Sequence, residues 1–316
     1  MAVVTTPASA GGTAAADAVR RRIAGRSTAV IGVIFKGLLI VALLLTILVL
    51  WALLYEVITG GWDVLSGRLG GFLTGRLTTR AEAAGVAQGL AGSFWIAVFV
   101  VTLSFPVGIG AAIYLEEYAP QSRFTRLIDV NIRNLAGVPS VVYGILGFAV
   151  FVKSLESVTG GRTMMAAGIT LAVLVLPIVI ITAAEAIRAV PDSIREAGFG
   201  VGATRWEVVR SHVLPYAAPG ILTGTVLALA RALGEAAPLI LVGAVTGRLG
   251  ASYELLDPSQ LQERFTAMPI VIFAWAGQPN ADFRALTAAA IVVLLVVVLL
   301  ANTGAILLRN RYEKKR

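Results

Sequence analysis

The sequence predicts an all-α membrane protein, a polytopic bundle of six transmembrane helices, and three observations lead there. Hydrophobic residues make up 57% of the 316-residue chain, charged residues only 14%, and the mean hydropathy is +0.84, too apolar for a water-soluble globule. Six runs are long enough to cross a hydrocarbon core, which takes about 20 apolar residues. Lys and Arg divide unequally between the two sets of connecting segments, sixteen against eight, the asymmetry that orients membrane helices.

The elements follow in chain order. Residues 1–28 read as a disordered tail, since Met1 to Ala18 is rich in Ala, Thr and Gly. Arg20, Arg21, Arg22 and Arg26 precede the first run, Val30 to Leu54. That run is too long for the apolar core of a signal peptide and no small-residue cleavage site follows, so it reads as a retained span. With its outer loop it occupies residues 29–88. The remaining runs are Leu90 to Ala112, Leu135 to Val152, Met164 to Ala184, Tyr216 to Leu241 and Leu286 to Leu308, a core over 89–308. A basic tail, 309–316, ends the chain.

An inside N-terminus places sixteen basic residues on the cytoplasmic side. These are the four just named, Arg123, Arg126, Arg133, Arg188, Arg195, Arg205, Arg210, Arg309, Arg311, Lys314, Lys315 and Arg316. Arg68, Arg76, Arg80, Lys153, Arg162, Arg248, Arg264 and Arg284 fall outside. Both termini and the segment around Glu196 are therefore expected in the cytoplasm, in a multi-pass membrane protein. Lys36, inside the first run but within reach of the interface, is expected to snorkel.

The spans are not uniform cylinders. Pro106, Pro139, Pro177, Pro219 and Pro238 fall inside or near their ends, where each removes a helix hydrogen bond and permits a kink. Gly220 and Gly224 form a GxxxG pair, and Gly108, Gly110 and Ala112 allow another backbone to come close. Tight helix packing accounts for these residues before any hinge does.

Between the fourth and fifth spans lies Glu196-Ala197-Gly198-Phe199-Gly200-Val201-Gly202, followed after a fixed interval by Leu214-Pro215. A polar, Gly-broken loop this detailed gains a membrane protein nothing structurally, so it is expected to be read by another protein. Trp206, Val209 and Val213 then repeat at helical spacing, with Arg205, Glu207 and Arg210 on other faces. Two roles suit such a stretch: lying flat on the bilayer with Trp206 as interfacial anchor, or docking into a groove on a cytoplasmic partner. The sharp turn that Gly198, Gly200 and Gly202 allow favours docking.

These residues resemble the EAA loop of ABC-importer permeases, whose form is E-A-A-x3-G-x9-I-x-L-P. Glu196, Ala197, Gly202, Leu214 and Pro215 match it, while Gly198 stands for the second Ala and His212 for the Ile. Three further segments are similar to the phosphate-importer permeases, specifically their PstA-type subunit: 135–144 (LAGVPSVVYG), 202–207 (GATRWE) and 231–239 (RALGEAAPL). The segment 265–270 (FTAMPI) before the last span resembles the same subunit. The likeness covers about Gly89 to Leu308. It implies a type I ABC importer permease fold, with Glu196, Ala197, Gly198, Gly202, Trp206, Leu214 and Pro215 coupling to an ATPase. It also implies a PstC-like sister permease, two PstB-like ATPase subunits and an external PstS-like phosphate-binding protein as partners, besides membrane lipids.

Arg231 lies about 22 Å into the fifth span at 1.5 Å per residue, and an Arg at such depth costs about 3 kcal/mol on insertion scales. Glu235 is one turn on. The two form either a self-neutralised pair locking helices or part of an anion route. Arg before Glu is the less favourable i,i+4 order, and a planar guanidinium suits phosphate oxygens. A neighbouring carboxylate weakens anion binding enough for release. The pair is therefore expected on a substrate pathway.

The rest of the chemistry is excluded by what the sequence lacks. It has no G-x-x-x-x-G-K-[ST] loop, so ATP and Mg²⁺ are expected on a partner subunit and no cofactor on this chain. The glycines at 198, 200 and 202 have the wrong spacing for a dinucleotide fold. His212 is the only histidine and there is no cysteine, which leaves no metal site and no enzyme in evidence. The net charge of +8 comes without a clustered basic face bearing aromatics, so no nucleic acid is expected. The expected function is the permease subunit of an ATP-driven phosphate importer. A permease for sulfate, molybdate or phosphonate, an ATP-independent secondary transporter or channel, and a membrane-anchored scaffold or sensor remain open alternatives.

Overall fold

A computed structural model describes residues 30–245 and 261–313, and among them every regular element is helical. The expected N-terminal tail, Arg248 and Lys314 to Arg316 lie outside the described residues. The chain forms two units, one through Glu56 and one from Val57 onward. Helix α1 (Val30–Thr74) contributes to both and has one non-helical residue, Arg68 (φ −145°, ψ 33°). The first unit contains its Leu- and Val-rich stretch, where Trp51 and Tyr55 stack with centroids 5.5 Å apart.

The second unit holds the end of α1, then α2 (Ala87–Tyr118), α3 (Arg123–Ala136), α4 (Ser140–Ser154) and α5 (Met164–Arg188). After these come α6 (Asp192–Gly200), α7 (Arg205–Gly234), α8 (Ala237–Val242), α9 (Met268–Ala276) and α10 (Asp282–Glu313). Helix α5 is apolar all round and buried on nearly every face, as a central helix must be. Leu171, Leu174, Val175 and Val179 on it pack with Ile96 and Val100 of α2, Ala228 of α7 and Leu239 of α8 in one cluster. A second cluster joins Val64 and Phe72 of α1 to Trp275 of α9 and Leu286 of α10.

The small residues sit where helices touch. A Cβ on Gly220 would stand 2.7 Å from the Ala186 Cβ of α5, and one on Gly224 would collide with Thr182. The GxxxG pair is thus the α5–α7 seam. Gly108 meets Val179 in the same way, whereas Gly110 has nothing within 4 Å. Pro106 and Pro215 each follow a π turn, Val100–Ser104 and Val209–Val213, whose wider spacing relieves the missing proline hydrogen bond.

Two predicted spans are corrected. The run Leu135 to Val152 is not one helix, because the chain bends by 98° between α3 and α4. Pro139 disfavours helix at the residue before it and opens α4. What precedes the bend is an amphipathic helix, α3, capped by Ser122 accepting from the Thr125 amide at 3.1 Å. The run Tyr216 to Leu241 begins earlier, at Arg205, and breaks at Glu235, which is extended (φ −81°, ψ 123°). Pro238 in the first turn of α8 fixes the new start. The last helix continues through Arg309 to Glu313.

Contacts between distant segments gather at two ends of the bundle. At one end Arg133 of α3 reaches Glu185 of α5 at 3.6 Å, and Arg188 and Arg195 reach Glu116 and Glu117 of α2. At the other, a Cβ on Gly243 would stand 2.7 Å from Arg162 Cδ.

Candidate functional site

The segment expected to be a loop is a helix, a turn and a second helix. Asp192 in the first turn of α6 favours its N-terminus, and Arg195 one turn later ties α6 to the bundle. Arg195 Nη2 donates to Glu117 Oε1 at 2.8 Å and to the Ile187 carbonyl at 3.0 Å; Nη1 donates to the Val190 carbonyl at 2.7 Å. One guanidinium thereby closes the open end of α5 and neutralises a carboxylate whose side chain is only 7% exposed. Arg188, beside it, donates from Nε to Glu116 Oε2 at 3.1 Å.

With Arg195 turned inward, Glu196, Ala197, Phe199 and Gly200 are exposed. Gly198 faces the bundle, and a Cβ there would stand 2.7 Å from Val208 Cγ2. The departure from the family's second Ala is therefore accommodated by contact with α7. Gly202 has φ +84°, the left-handed conformation that closes the turn, with its amide donating to the Phe199 carbonyl at 2.9 Å. Thr204 and Glu207 form a capping box that starts α7.

The expected stripe of Trp206, Val209 and Val213 does not form. Val208, Val209 and Val213 are buried, while Trp206 is 54% exposed. The π turn Val209–Val213 adds a residue and shifts the register, so the stretch is the first part of a spanning helix and not a separate surface helix. Leu214 is half-buried, and Pro215 and His212 are exposed. His212, which stands for the family's Ile, faces outward beside the buried Val209 and Val213. What the end of the bundle presents is the Glu196 carboxylate, with Phe199, Val201 and Trp206 as exposed apolar groups.

Arg231 and Glu235 do pair, Nε to Oε1 at 3.4 Å. The pair bridges the end of α7 and its extended cap residue, not two turns of one helix. Arg231 is 46% exposed on its side chain and Glu235 19%. Along α7 beyond Pro215 the exposed positions are Tyr216, Gly220, Thr223, Leu227, Arg231 and Gly234, a stripe at helical spacing about 100° round the helix from the buried Ala217, Ile221, Gly224, Ala228 and Ala232.

Sequence reasoning missed the ion pairs that tie α5 and α6 to α2, and the helix α3. The available signals were adjacent Glu116 and Glu117 at the end of an apolar run, and two arginines seven residues apart, Arg188 and Arg195.

A bundle of membrane-length helices carrying a tethered bracket at one end and an ionisable pair on a span defines the membrane-embedded subunit of a transport system. The chain belongs to the family of binding-protein-dependent transport system inner membrane components, whose model matches residues 104–314. It is 32% identical over 264 residues to the phosphate transport system permease protein PstA of Yersinia pestis, covering 84% of each chain. Identity to PstA 1 of Mycobacterium tuberculosis (strain ATCC 25618 / H37Rv) is 35% over 71% of this chain and 70% of that one. The probable ABC transporter permease protein YqgI of Bacillus subtilis is 34% identical over 55% of this chain, which spans 58% of YqgI's length. Among solved structures, a bacterial ABC transporter involved in alginate import superposes with a TM-score of 0.56 at 19% identity, over 85% of this chain and 94% of that one. The inward-facing MetNI methionine ABC transporter gives 0.52 at 17%, over 72% and 94%. The fold is that of a type I ABC importer permease.

Proposed function

We propose that this chain is the PstA-type permease of an ATP-driven inorganic phosphate importer. The observation that carries the reading is the likeness to the Yersinia pestis PstA across 84% of both chains. The exposed stripe of α7 supports it. An Arg that faces outward from a single subunit, within an apolar span, must meet a polar surface or water when the assembly forms. A partner permease of PstC type supplies the other half of that surface. Two PstB-like ATPase subunits hold ATP and Mg²⁺, and a PstS-like protein delivers phosphate from outside. Both termini and α6 face the cytoplasm.

The chain's own contribution is mechanical and electrostatic. Closure of the ATPase pair pushes on Glu196, Phe199 and Trp206. Because α6 is tied by Arg195 to α2 and α5 and by Gly198 to α7, the push is delivered to three spans together and opens the path past Arg231 to the outside. Glu235 holds the guanidinium between anions and competes with a bound one, which favours release. The test is uptake of labelled phosphate in cells lacking only this chain. Wild type is expected to restore it and Arg231→Ala to fail while still assembling. A response of sulfate uptake instead would reassign the substrate. Glu196→Lys is expected to abolish uptake yet leave the binding protein's association intact; normal uptake in that variant removes the coupling role.

A further inference from the structure

The exposed stripe of α7 has a second cation on it, brought by another helix. Arg309, in the last turns of α10, donates from Nη1 to Thr223 Oγ1 at 3.4 Å. Thr223 is two positions along the stripe from Arg231, about 12 Å at helical rise. The two helices enclose a pocket of about 150 Å³ lined by Leu222, Thr223 and Val226 of α7 and Asn302, Ile306 and Arg309 of α10. It has room for more than one water. The Asn302 amide oxygen is buried there without a hydrogen-bond partner. Turning that amide end for end presents an N–H₂ donor in its place.

We propose that Arg309, positioned by Thr223, forms with Asn302 a second oxyanion station on the pathway, between Arg231 and the α6 end of the bundle. The Thr223 hydroxyl gives its proton to the Pro219 carbonyl at 2.8 Å and accepts from Arg309, so it positions the guanidinium and does not itself donate to an anion. A guanidinium and, two turns back along α10, a carboxamide in a mostly apolar pocket suit a tetrahedral oxyanion carrying several acceptor oxygens. The depth fits as well. Thr223 lies beside Gly220 and Gly224, which pack on Ala186 and Thr182, so the station sits just inside the end of α5. An anion leaving Arg231 toward that end follows the exposed face of α7 past Leu227 and meets Arg309 next. Two stations of like charge let an arriving anion be handed on without crossing the apolar stretch unpaired. A phospholipid headgroup offers the same phosphoryl chemistry, but the position on the Arg231 stripe favours the transported anion. The proposal rests on the phosphate-importer reading above.

The test uses the complete importer in proteoliposomes with ATP, following labelled phosphate transport and phospholipid retained per complex. Arg309→Gln is expected to lower phosphate transport on the order of tenfold, the loss of one charge-assisted hydrogen bond. Arg309→Lys should recover much of that rate, since it restores the charge. Thr223→Val keeps the side-chain shape but removes the acceptor that positions the Arg309 guanidinium, and should cost a few-fold. Retained phospholipid should be equal in all four proteins. Wild-type transport in Arg309→Gln and Thr223→Val overturns the station. So does a fall in retained phospholipid with transport unchanged, which assigns the pocket to a lipid headgroup. A wild-type complex that moves no phosphate fails the underlying reading, and the station falls with it.

Discussion

Gly198, Gly200 and Gly202 lie within one turn and answer to different constraints. Gly198 is held by contact, since a methyl would press on a β-branched neighbour whose side chain has little freedom to move. Gly198→Ala is expected to cost about 1–2 kcal/mol, and the cost should shrink when combined with Val208→Ala. Melting of the two single variants and the double variant in detergent gives the coupling; strict additivity would remove the contact argument. Gly202 is held by its backbone at φ +84°, so Gly202→Ala should cost about 1 kcal/mol with no side-chain change able to relieve it. Gly200 has nothing within 4 Å and an ordinary backbone. Gly200→Ala is therefore expected to be neutral or to stabilise by about 0.5 kcal/mol. The three glycines look alike in the sequence because neither φ nor the distance to Val208 is local information.

Among the helices, two ion pairs close the same end of the bundle, a buried one that ties α6 to α2 and an exposed one that ties α5 to α2. The Arg195–Glu117 pair, 18% and 7% exposed on its side chains, also satisfies carbonyls at the end of α5. The Arg188–Glu116 pair has its arginine 56% exposed and is screened by water. Glu117→Gln is expected to destabilise by about 2 kcal/mol, less than a fully buried pair because Arg195 keeps its carbonyl partners. Glu116→Gln should cost under about 1 kcal/mol. Melting temperatures check the order, and limited proteolysis at the α6 turn checks where the effect falls. Equal losses for the two variants would mean that burial does not distinguish the links. The sequence pattern made the long apolar helices plain, because hydrophobicity over some 20 residues is decided by the bilayer alone. It gave no such signal for α3, whose half-polar composition reads as a connecting loop until Pro139 is seen to turn the chain.

For the molecule as a whole, the Lys and Arg counts predict which connections share a face of the membrane, and the ion pairs of Arg133, Arg188 and Arg195 gather three of the counted arginines at one end. The absence of cysteine makes orientation directly measurable. In intact cells, Ser157→Cys should react with an impermeant thiol reagent, and Val201→Cys only after the membrane is opened. The reverse pattern would invert the proposed topology. Arg231 and Glu235 were legible as an unusual pair, but the helix end between them was not, because Gly234 and Pro238 read equally well as features inside a packed span. The exposed face of α7, and Arg309 upon it, belonged to no motif. They emerge only when two helices far apart in sequence lie side by side.

The π turn at Val209–Val213 has a consequence for how the two ends of the molecule are phased. One residue more than an α-helix needs is wound in between the α6 bracket and the stripe that carries Arg231. That residue acts as an angular offset, setting the compass bearing of Glu196 against that of Arg231 by about 100°. Removing Ser211 should let the helix close into plain α form, so the bundle above it survives while the bracket faces a new direction. A permease so altered loses the Arg195–Glu117 link and is expected to melt several degrees below wild type, yet still fold and receive its substrate protein while moving no phosphate, like a key cut correctly and turned a quarter round.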